Sequence, residues 1–344
     1  MSDKILHIAT SDKFIPPFIR FVEENFDFIK HEFLLTGDSV GIELYGHKNI
    51  LLSGTSKTEK ALYYYQAYKK MHQADKIILH NLFDIKIVKI LFFSPLLLKK
   101  CYWVIWGNDL YYYQSTNKNK KWREDEFFRR PVIKNMGHLV TYIPGDIELA
   151  RKWYGAKGEY HECLMYLSNT CKALDVPSNQ TDTINIQIGN SADSSNNHIE
   201  VLEKLLPFKN ENIKIYAPLS YGDKSHAKKV IAKGKELFGD KFIALTDFMP
   251  FEEYLQFLGT IDIAIFNHKR QQAMGNTITL LGLGKTVFIR SDTTQWQFFK
   301  DKNIKIYNSI NLASLDKKEH LDNIQKVKEY FSKETLLKQY SEIF

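Results

Sequence analysis

Polar donors and a glycine crowd the segment Phe266-Asn267-His268-Lys269-Arg270-Gln271-Gln272-Ala273-Met274-Gly275-Asn276-Thr277, between the strand-like run Ile261 to Ile265 and the apolar run Ile278 to Leu283. In an α/β protein, the turn from a strand into a helix is where charged ligands sit. Backbone N–H groups at the helix start, the positive end of its dipole and the Arg270 guanidinium together suit a diphosphate or a carboxylate. Arg270, Gln271, Gln272, Gly275, Asn276 and Thr277 are therefore candidate ligand-binding residues, although a polar loop that only caps a helix would use the same residue types.

A second segment has the same character. Ile184-Asn185-Ile186-Gln187-Ile188 runs into Gly189-Asn190-Ser191-Ala192-Asp193-Ser194-Ser195-Asn196-Asn197-His198, and the helical pattern Ile199, Leu202, Leu205, Leu206 follows. Gly189 allows close backbone approach, and Ser194, Ser195 or Asn196 could cap the helix while leaving donors, with Asn190 and Ser191, for a ligand. The G-x-G-x-x-G spacing of a dinucleotide site is absent.

The third group is Tyr102-Trp103-Val104-Ile105-Trp106-Gly107-Asn108-Asp109-Leu110-Tyr111. An acid at the carboxyl end of a parallel strand points toward the ligand crevice, which makes Asp109 a candidate general base or sugar-hydroxyl acceptor. Gly-Asn-Asp is also good turn chemistry. Trp106, Tyr111, Tyr112 and Tyr113 offer faces that stack on sugars. His80, at the end of the strand Lys76 to Leu79, and His7, in the first strand, could meet Asp109, or could be satisfied packing residues. No H-x-x-x-H, D-x-D or C-x-x-C pairing occurs, so no catalytic metal is expected. Cys101, Cys163 and Cys171 are odd in number and lack ligand spacing, which fits a reducing compartment and no disulfide framework.

These residues need a scaffold, and the pattern supplies one. Lys4 to Ala9, Glu32 to Leu35, Lys76 to Leu79, Tyr102 to Trp106 and Leu139 to Tyr142 read as buried strands, with helical patterns over Phe14 to Phe28, Thr58 to Met71, Asp84 to Phe93 and Asp146 to Trp153. After a polar stretch near 166 to 182 the alternation resumes at Ile184 and continues through Ile213 to Ala217, Phe242 to Leu245, Ile261 to Phe266, Thr286 to Ile289 and Ile304 to Tyr307. The expectation is α/β: two Rossmann-like domains, 1–175 and 176–344, facing across a cleft, the second ending in a charged helical tail. At 344 residues each domain has room for its own core.

The formal charge of +7 and the pI near 8.9 favour an anionic partner. No helix-turn-helix, zinc-finger or RNA-binding aromatic signature appears, so nucleic acid is not expected. No run approaches the roughly twenty apolar residues of a membrane span, and the amino terminus passes straight into a strand without a signal-peptide h-region. Lys86-Ile87-Val88-Lys89-Ile90-Leu91-Phe92-Phe93-Ser94-Pro95-Leu96-Leu97-Leu98-Lys99-Lys100 is apolar with lysines at both edges, as an interfacial segment or a core helix with its loop would be. Lys118, Lys120, Lys121, Arg123, Arg129 and Arg130, interleaved with Trp122, Phe127 and Phe128, mark the first domain as the membrane candidate.

At these motifs the chain resembles the bacterial TDP-4-acetamido-4,6-dideoxygalactose transferases of glycosyltransferase family 56, which act on a lipid-linked saccharide in making enterobacterial common antigen. The resemblance is carried by the strand ending in His80, Ile105-Trp106-Gly107-Asn108-Asp109-Leu110-Tyr111, Pro144-Gly145-Asp146, the block Gly189 to Ile199, and Arg270-Gln271-Gln272 with Gly275. It implies the GT-B arrangement, with a TDP-sugar donor held mainly by the C-terminal domain and no required metal or cofactor. It also implies a polyprenyl-diphosphate-linked acceptor and a peripheral place on the cytoplasmic face of the bacterial inner membrane. Asn267-His268-Lys269 and Asn276 depart from the family pattern, where the sugar could be distinguished. The rivals are a non-catalytic nucleotide or anionic-sugar binding protein and a nucleotide-sugar epimerase or hydrolase.

Overall fold

A computed structural model describes residues 3–37, 47–171, 176–317 and 320–344. It divides into two units, residues 1–168 with 333–344, and residues 169–332. The first holds a seven-stranded sheet made of β1 (Ile5–Thr10), β2 (His31–Thr36), β3 (Ile50–Leu52), β4 (Lys76–Leu79), β5 (Cys101–Val104), β6 (His138–Thr141) and β7 (Glu159–Glu162). The second holds six strands, β8 (Ile184–Ile188), β9 (Ile213–Pro218), β10 (Phe242–Leu245), β11 (Ile263–Phe266), β12 (Thr286–Ile289) and β13 (Tyr307–Asn308). The orders are β3-β2-β1-β4-β5-β6-β7 and β10-β9-β8-β11-β12-β13, and the strand pairs are parallel throughout.

Both orders reverse direction once, between β1 and β4 and between β8 and β11. This is the doubly wound Rossmann order, which opens a ligand crevice at the carboxyl ends of the strands where the order switches. Helices cover both faces, so the strands are apolar on both sides: Ile77, Ile78, Trp103, Val104 and Leu139 in one sheet, and Ile186, Ile188, Ile263 and Ile265 in the other, are almost wholly buried.

The structure departs from the sequence expectation in several places. The expected boundary at 175/176 adjoins residues 172–175, which lie outside the described residues. The terminal helix Lys333–Ile343 belongs to the first unit, not to a tail of the second. Tyr340 is buried there, its hydroxyl donating to the Met165 carbonyl at 2.7 Å and its ring lying against Phe18 and Phe21. The basic run around 118–130 is largely a helix, Lys120–Lys134, and Arg129 is buried rather than facing a membrane. Edge strands β3 and β7 were not expected; Tyr160 and His161 in β7 lack the apolar run that marks a central strand.

Candidate functional site

In the second unit the loops after β8 and β11, neighbours at the switch point, converge on Asn196. Its side-chain oxygen accepts the Asn190 N–H at 2.9 Å and the His268 Nε2–H at 2.8 Å, while its Nδ2 donates to Ser191 Oγ at 3.3 Å and to the Asp193 carbonyl at 3.0 Å. Gly189 is required where it stands. Its φ is +63°, and a Cβ there would lie 2.5 Å from His198 Nε2 and 2.7 Å from Asn196 Oδ1. Ser194, Ser195 and Asn196 do not cap the following helix, contrary to expectation. They form a 3-10 turn capped by Asp193, and the helix His198–Leu205 starts from Asn197 without a side-chain cap.

The two loops are stitched together directly. Ser195 Oγ donates to Gln272 Oε1 at 2.8 Å, and Asn197 Nδ2 to the Asn267 carbonyl at 2.9 Å. Ser309 Oγ donates to Asn267 Oδ1 at 2.9 Å, bringing in the loop after β13. Gln295 accepts the Gln272 N–H at 3.3 Å and donates to Thr277 Oγ1 at 3.3 Å, holding the entry to the helix Met274–Gly282. Ala273, just before that helix, has φ +58° and provides no side-chain cap. A left-handed alanine costs about 1 kcal/mol, a strain typical of ligand-binding turns. The first helical hydrogen bond is Thr277 N–H to the Ala273 carbonyl, so the N–H groups of Met274, Gly275 and Asn276 precede it.

Polar atoms of this site are buried without a protein partner: Asn190 Oδ1, His198 Nε2, His268 Nδ1 and Gln187 Oε1. Because His268 donates through Nε2, its Nδ1 is a bare lone pair. Burial, with Arg270 next in effect, pulls His268 down to about 3, and burial with His226 beside it does the same to His198. Both rings are therefore neutral at neutral pH. Asp193 interacts electrostatically with both Arg270 and His268, which places the guanidinium beside the loop knot. An orphaned buried acceptor or donor costs about 1–3 kcal/mol, and a cluster of them calls for a ligand. Gln187 and His198 were not picked out from sequence as site residues, whereas Asn267 and His268 were marked as positions where a sugar could be distinguished; Gln187 lies near the end of β8 and His198 opens the helix His198–Leu205.

The first unit is built differently. Asp109 is fully buried and its four lone-pair positions face four donors: Oδ1 accepts from the N–H groups of Trp106 and Leu110, each at 3.0 Å, and Oδ2 from Leu82 N–H at 3.2 Å and Trp103 Nε1–H at 2.7 Å. Burial pushes its carboxyl up, against the pull of the Trp103 hydrogen bond and Arg129. Arg129 donates to the Asp109 carbonyl at 2.7 Å and to the Leu82 carbonyl. Gly107, with φ +83° just after Trp106, makes the turn possible. The expectation that this carboxylate meets a substrate hydroxyl therefore gives way to a structural fact: it holds the loops after β4 and β5 together.

His7 and His80 meet each other rather than the Asp109 carboxylate, and both are fully buried. They belong to a line of hydrogen bonds across β2, β1 and β4: His31 Nδ1 to His7 Nε2 at 2.9 Å, His7 Nδ1 to His80 Nε2 at 3.1 Å, and His80 Nδ1 to the Tyr166 hydroxyl at 2.7 Å. Trp106 Nε1–H donates to that hydroxyl at 2.9 Å. Indole only donates, so the Tyr166 oxygen accepts from Trp106, and one proton in each bond of the line leaves all three imidazoles neutral. Burial agrees: it holds His7 well below its usual value, His80 at about 3 and His31 at about 4. Neither histidine is exposed to solvent. Asn81, next after His80 and unmarked in the sequence reading, keeps a buried Nδ2 without a partner.

Solved structures share the fold over nearly the whole chain. An Anabaena protein in complex with UDP and glucose superimposes with TM-score 0.71 at 9% identity, covering 98% of each chain. A sucrose-phosphate synthase from Thermosynechococcus elongatus gives 0.69 at 11%, over 99% of this chain and 98% of that one. A lipopolysaccharide outer core galactosyltransferase gives 0.66 at 13%, with the same coverage. At such identities they establish the fold, which is that of the GT-B glycosyltransferases. The family model described as 4-alpha-L-fucosyltransferase glycosyl transferase group 56 matches residues 45–343, so the chain belongs to that family and is a glycosyltransferase.

Proposed function

We propose that the protein transfers an N-acetylated deoxy-amino sugar of the 4-acetamido-4,6-dideoxygalactose type from a TDP-sugar to a polyprenyl-diphosphate-linked oligosaccharide, with the donor held by the second unit. The observation that carries this reading is the uncapped start of the helix Met274–Gly282 beside Arg270, next to buried polar atoms that lack partners. The N–H groups of Gly275, Asn276 and the residue before them, with Arg270, neutralise the diphosphate as the glycosidic C–O bond breaks, the work a metal does elsewhere. An acetamido sugar brings both an N–H and a carbonyl. His268 Nδ1 and Asn190 Oδ1 can accept from such a group.

On the acceptor side, the attacking hydroxyl oxygen bonds to the anomeric carbon, TDP leaves with the former glycosidic electron pair, and the hydroxyl proton passes to the departing diphosphate or to solvent. His7, His80 and Asp109 serve as positioning residues, fixing Trp106 and Tyr166 from behind. Membrane attachment has its own support. Phe93, Leu96 and Phe127 are 74%, 81% and 64% exposed, and the two helices that carry the phenylalanines are in contact through Phe92. Among the described residues no helix is long and apolar enough to cross a membrane, so the proposed attachment is peripheral, on the cytoplasmic face of the inner membrane.

A donor screen read by mass spectrometry on the intact glycolipid tests the proposal. Growth of the lipid-linked acceptor by one acetamidodideoxyhexose from TDP-sugar is expected. Transfer from a UDP-sugar only would overturn the donor assignment, and donor hydrolysed, epimerised or bound unchanged in the presence of acceptor would overturn transfer itself.

A further inference from the structure

Outside both regions, β6 and β7 bring together three side chains that no sequence spacing connects. The strands pair in parallel with His138 opposite Glu159 and Val140 opposite His161. Strand alternation puts Glu159 and His161 on one face, and the register puts His138 on the same face. His138 Nδ1 lies 2.9 Å from His161 Nε2, and Glu159 Oε2 lies 3.6 Å from the first and 3.9 Å from the second. One ligand atom from each residue thus falls within 4.8 Å of the other two.

We propose that His138, Glu159 and His161 bind a divalent transition cation, zinc(II) foremost, that clips edge strand β7 to β6. Two imidazoles and a carboxylate are a usual zinc set, at about 2.0–2.2 Å from the ion, with a fourth position left to water. Two nitrogens on a tetrahedral ion stand about 3.4 Å apart at those bond lengths, so the pair must open by about half an ångström. Glu159 must close by a similar amount, and its side chain, 69% exposed, is free to do so.

The surroundings prepare the ring positions. Tyr102 stacks on His138 with centroids 3.9 Å apart and planes 9° from parallel, and the Lys99 backbone takes a further hydrogen bond from the same ring. The charges facing the pair are mixed: Glu159 and Glu342 favour a cation and Lys76 opposes it. Lys76 is also engaged, donating to the carbonyls of Ile343 and Phe344 at 2.6 and 2.9 Å.

His138 and Glu159 open their strands, at the end of the sheet opposite the ligand crevice. The ion is therefore a clamp for the sheet edge, and the inference does not depend on the transfer reading. Full-length protein freed of metal with chelator and titrated with zinc chloride is expected to bind one ion per chain and to unfold at higher temperature. His161→Gln and His138→Gln should weaken binding at least tenfold, and the visible absorption of the cobalt(II) form should vanish with them. Glu159→Gln, at an exposed position where folding is not at risk, should weaken it less. Far-ultraviolet circular dichroism reports independently that each variant is folded. Zinc binding unchanged in the two histidine variants, or no saturable binding by the wild-type chain at micromolar zinc, would overturn the site.

Discussion

The crevice ends of the two sheets share one topology and manage their polar atoms in opposite ways. Around Asp109 in the first unit, four donors meet four acceptor positions, and the line from Trp106 to His31 leaves no ring nitrogen of His7 or His80 free. Asn81 Nδ2 is the exception there. Around Asn196 in the second unit, the loops are equally well tied, yet four buried polar atoms lack partners and a helix begins uncapped. A satisfied buried network is a device for rigidity; an unsatisfied one is stable only when something else completes it. Functional residue types in a crevice thus do different work according to whether their hydrogen bonds are already made.

The largest test of that contrast is Asp109→Asn. Its amide would set an N–H₂ against backbone and indole donors, and hydrogen bonds to a charged group are worth about 1.5–3 kcal/mol each. A loss of at least about 3 kcal/mol in unfolding free energy is expected, with TDP affinity of the folded fraction unchanged. Wild-type stability joined to lost transfer would instead return the carboxylate to direct chemistry.

Arg270→Ala should show the reverse: about 10- to 100-fold weaker TDP binding, from one lost charge-assisted contact of about 1.5–3 kcal/mol, and a change in stability within about 0.5 kcal/mol. Titration and thermal unfolding of the same sample read both.

Acid sharpens the comparison. His7, His31 and His80 stay neutral in the native state, while the unfolded chain binds a proton at each below about pH 6.5. The unfolded state then holds more protons, so stability rises with pH in this window. It is lost as pH falls from about 6.5 toward the native values near 3 to 4, by up to about 1.4 kcal/mol per pH unit for each histidine. His80→Gln should make the slope shallower by one proton. An unchanged slope would mean that the ring is charged in the native protein.

The smallest effect concerns the exposed apolar surface. Phe93→Ser with Leu96→Ser should leave stability and TDP binding as they are and weaken binding to anionic vesicles several-fold. Neutralising Lys99 should reduce vesicle binding further at low salt only, since exposed charges are screened over about 10 Å at 0.1 M. Lys100 is a poorer target than the sequence indicates, because its ammonium is tied to the carbonyls of Ala74 and His72 at the end of the helix Lys57–Gln73.

Most of the fold was legible before any coordinates. Central strands buried on both faces are continuous apolar runs, and β4, β8, β10 and β12 fall on the residues expected. Edge strand β7 escaped because half-exposed strands carry polar residues such as His161, and the helix Lys120–Lys134 escaped because its basic residues and interleaved aromatics read as a membrane-facing run. The two polar loops after β8 and β11 were legible too, since small polar residues after a strand are a local signal. Their hydrogen bonds were not: Asn196, read as a residue that could cap the helix and hold a ligand, braces the two loops.

The sequence by itself determined two parallel α/β units and the two polar segments at their strand ends, because apolar periodicity and turn chemistry are local properties of the chain. Tertiary structure decided what the polar residues do. Only strand register could set His138 beside Glu159 and His161, only the order β2-β1-β4 could line up His31, His7 and His80, and only the packed loops could give Asp109 its four donors. Burial and hydrogen-bond satisfaction depend on neighbours distant in the chain, and it is these that separate a residue holding the site together from one left open to a ligand.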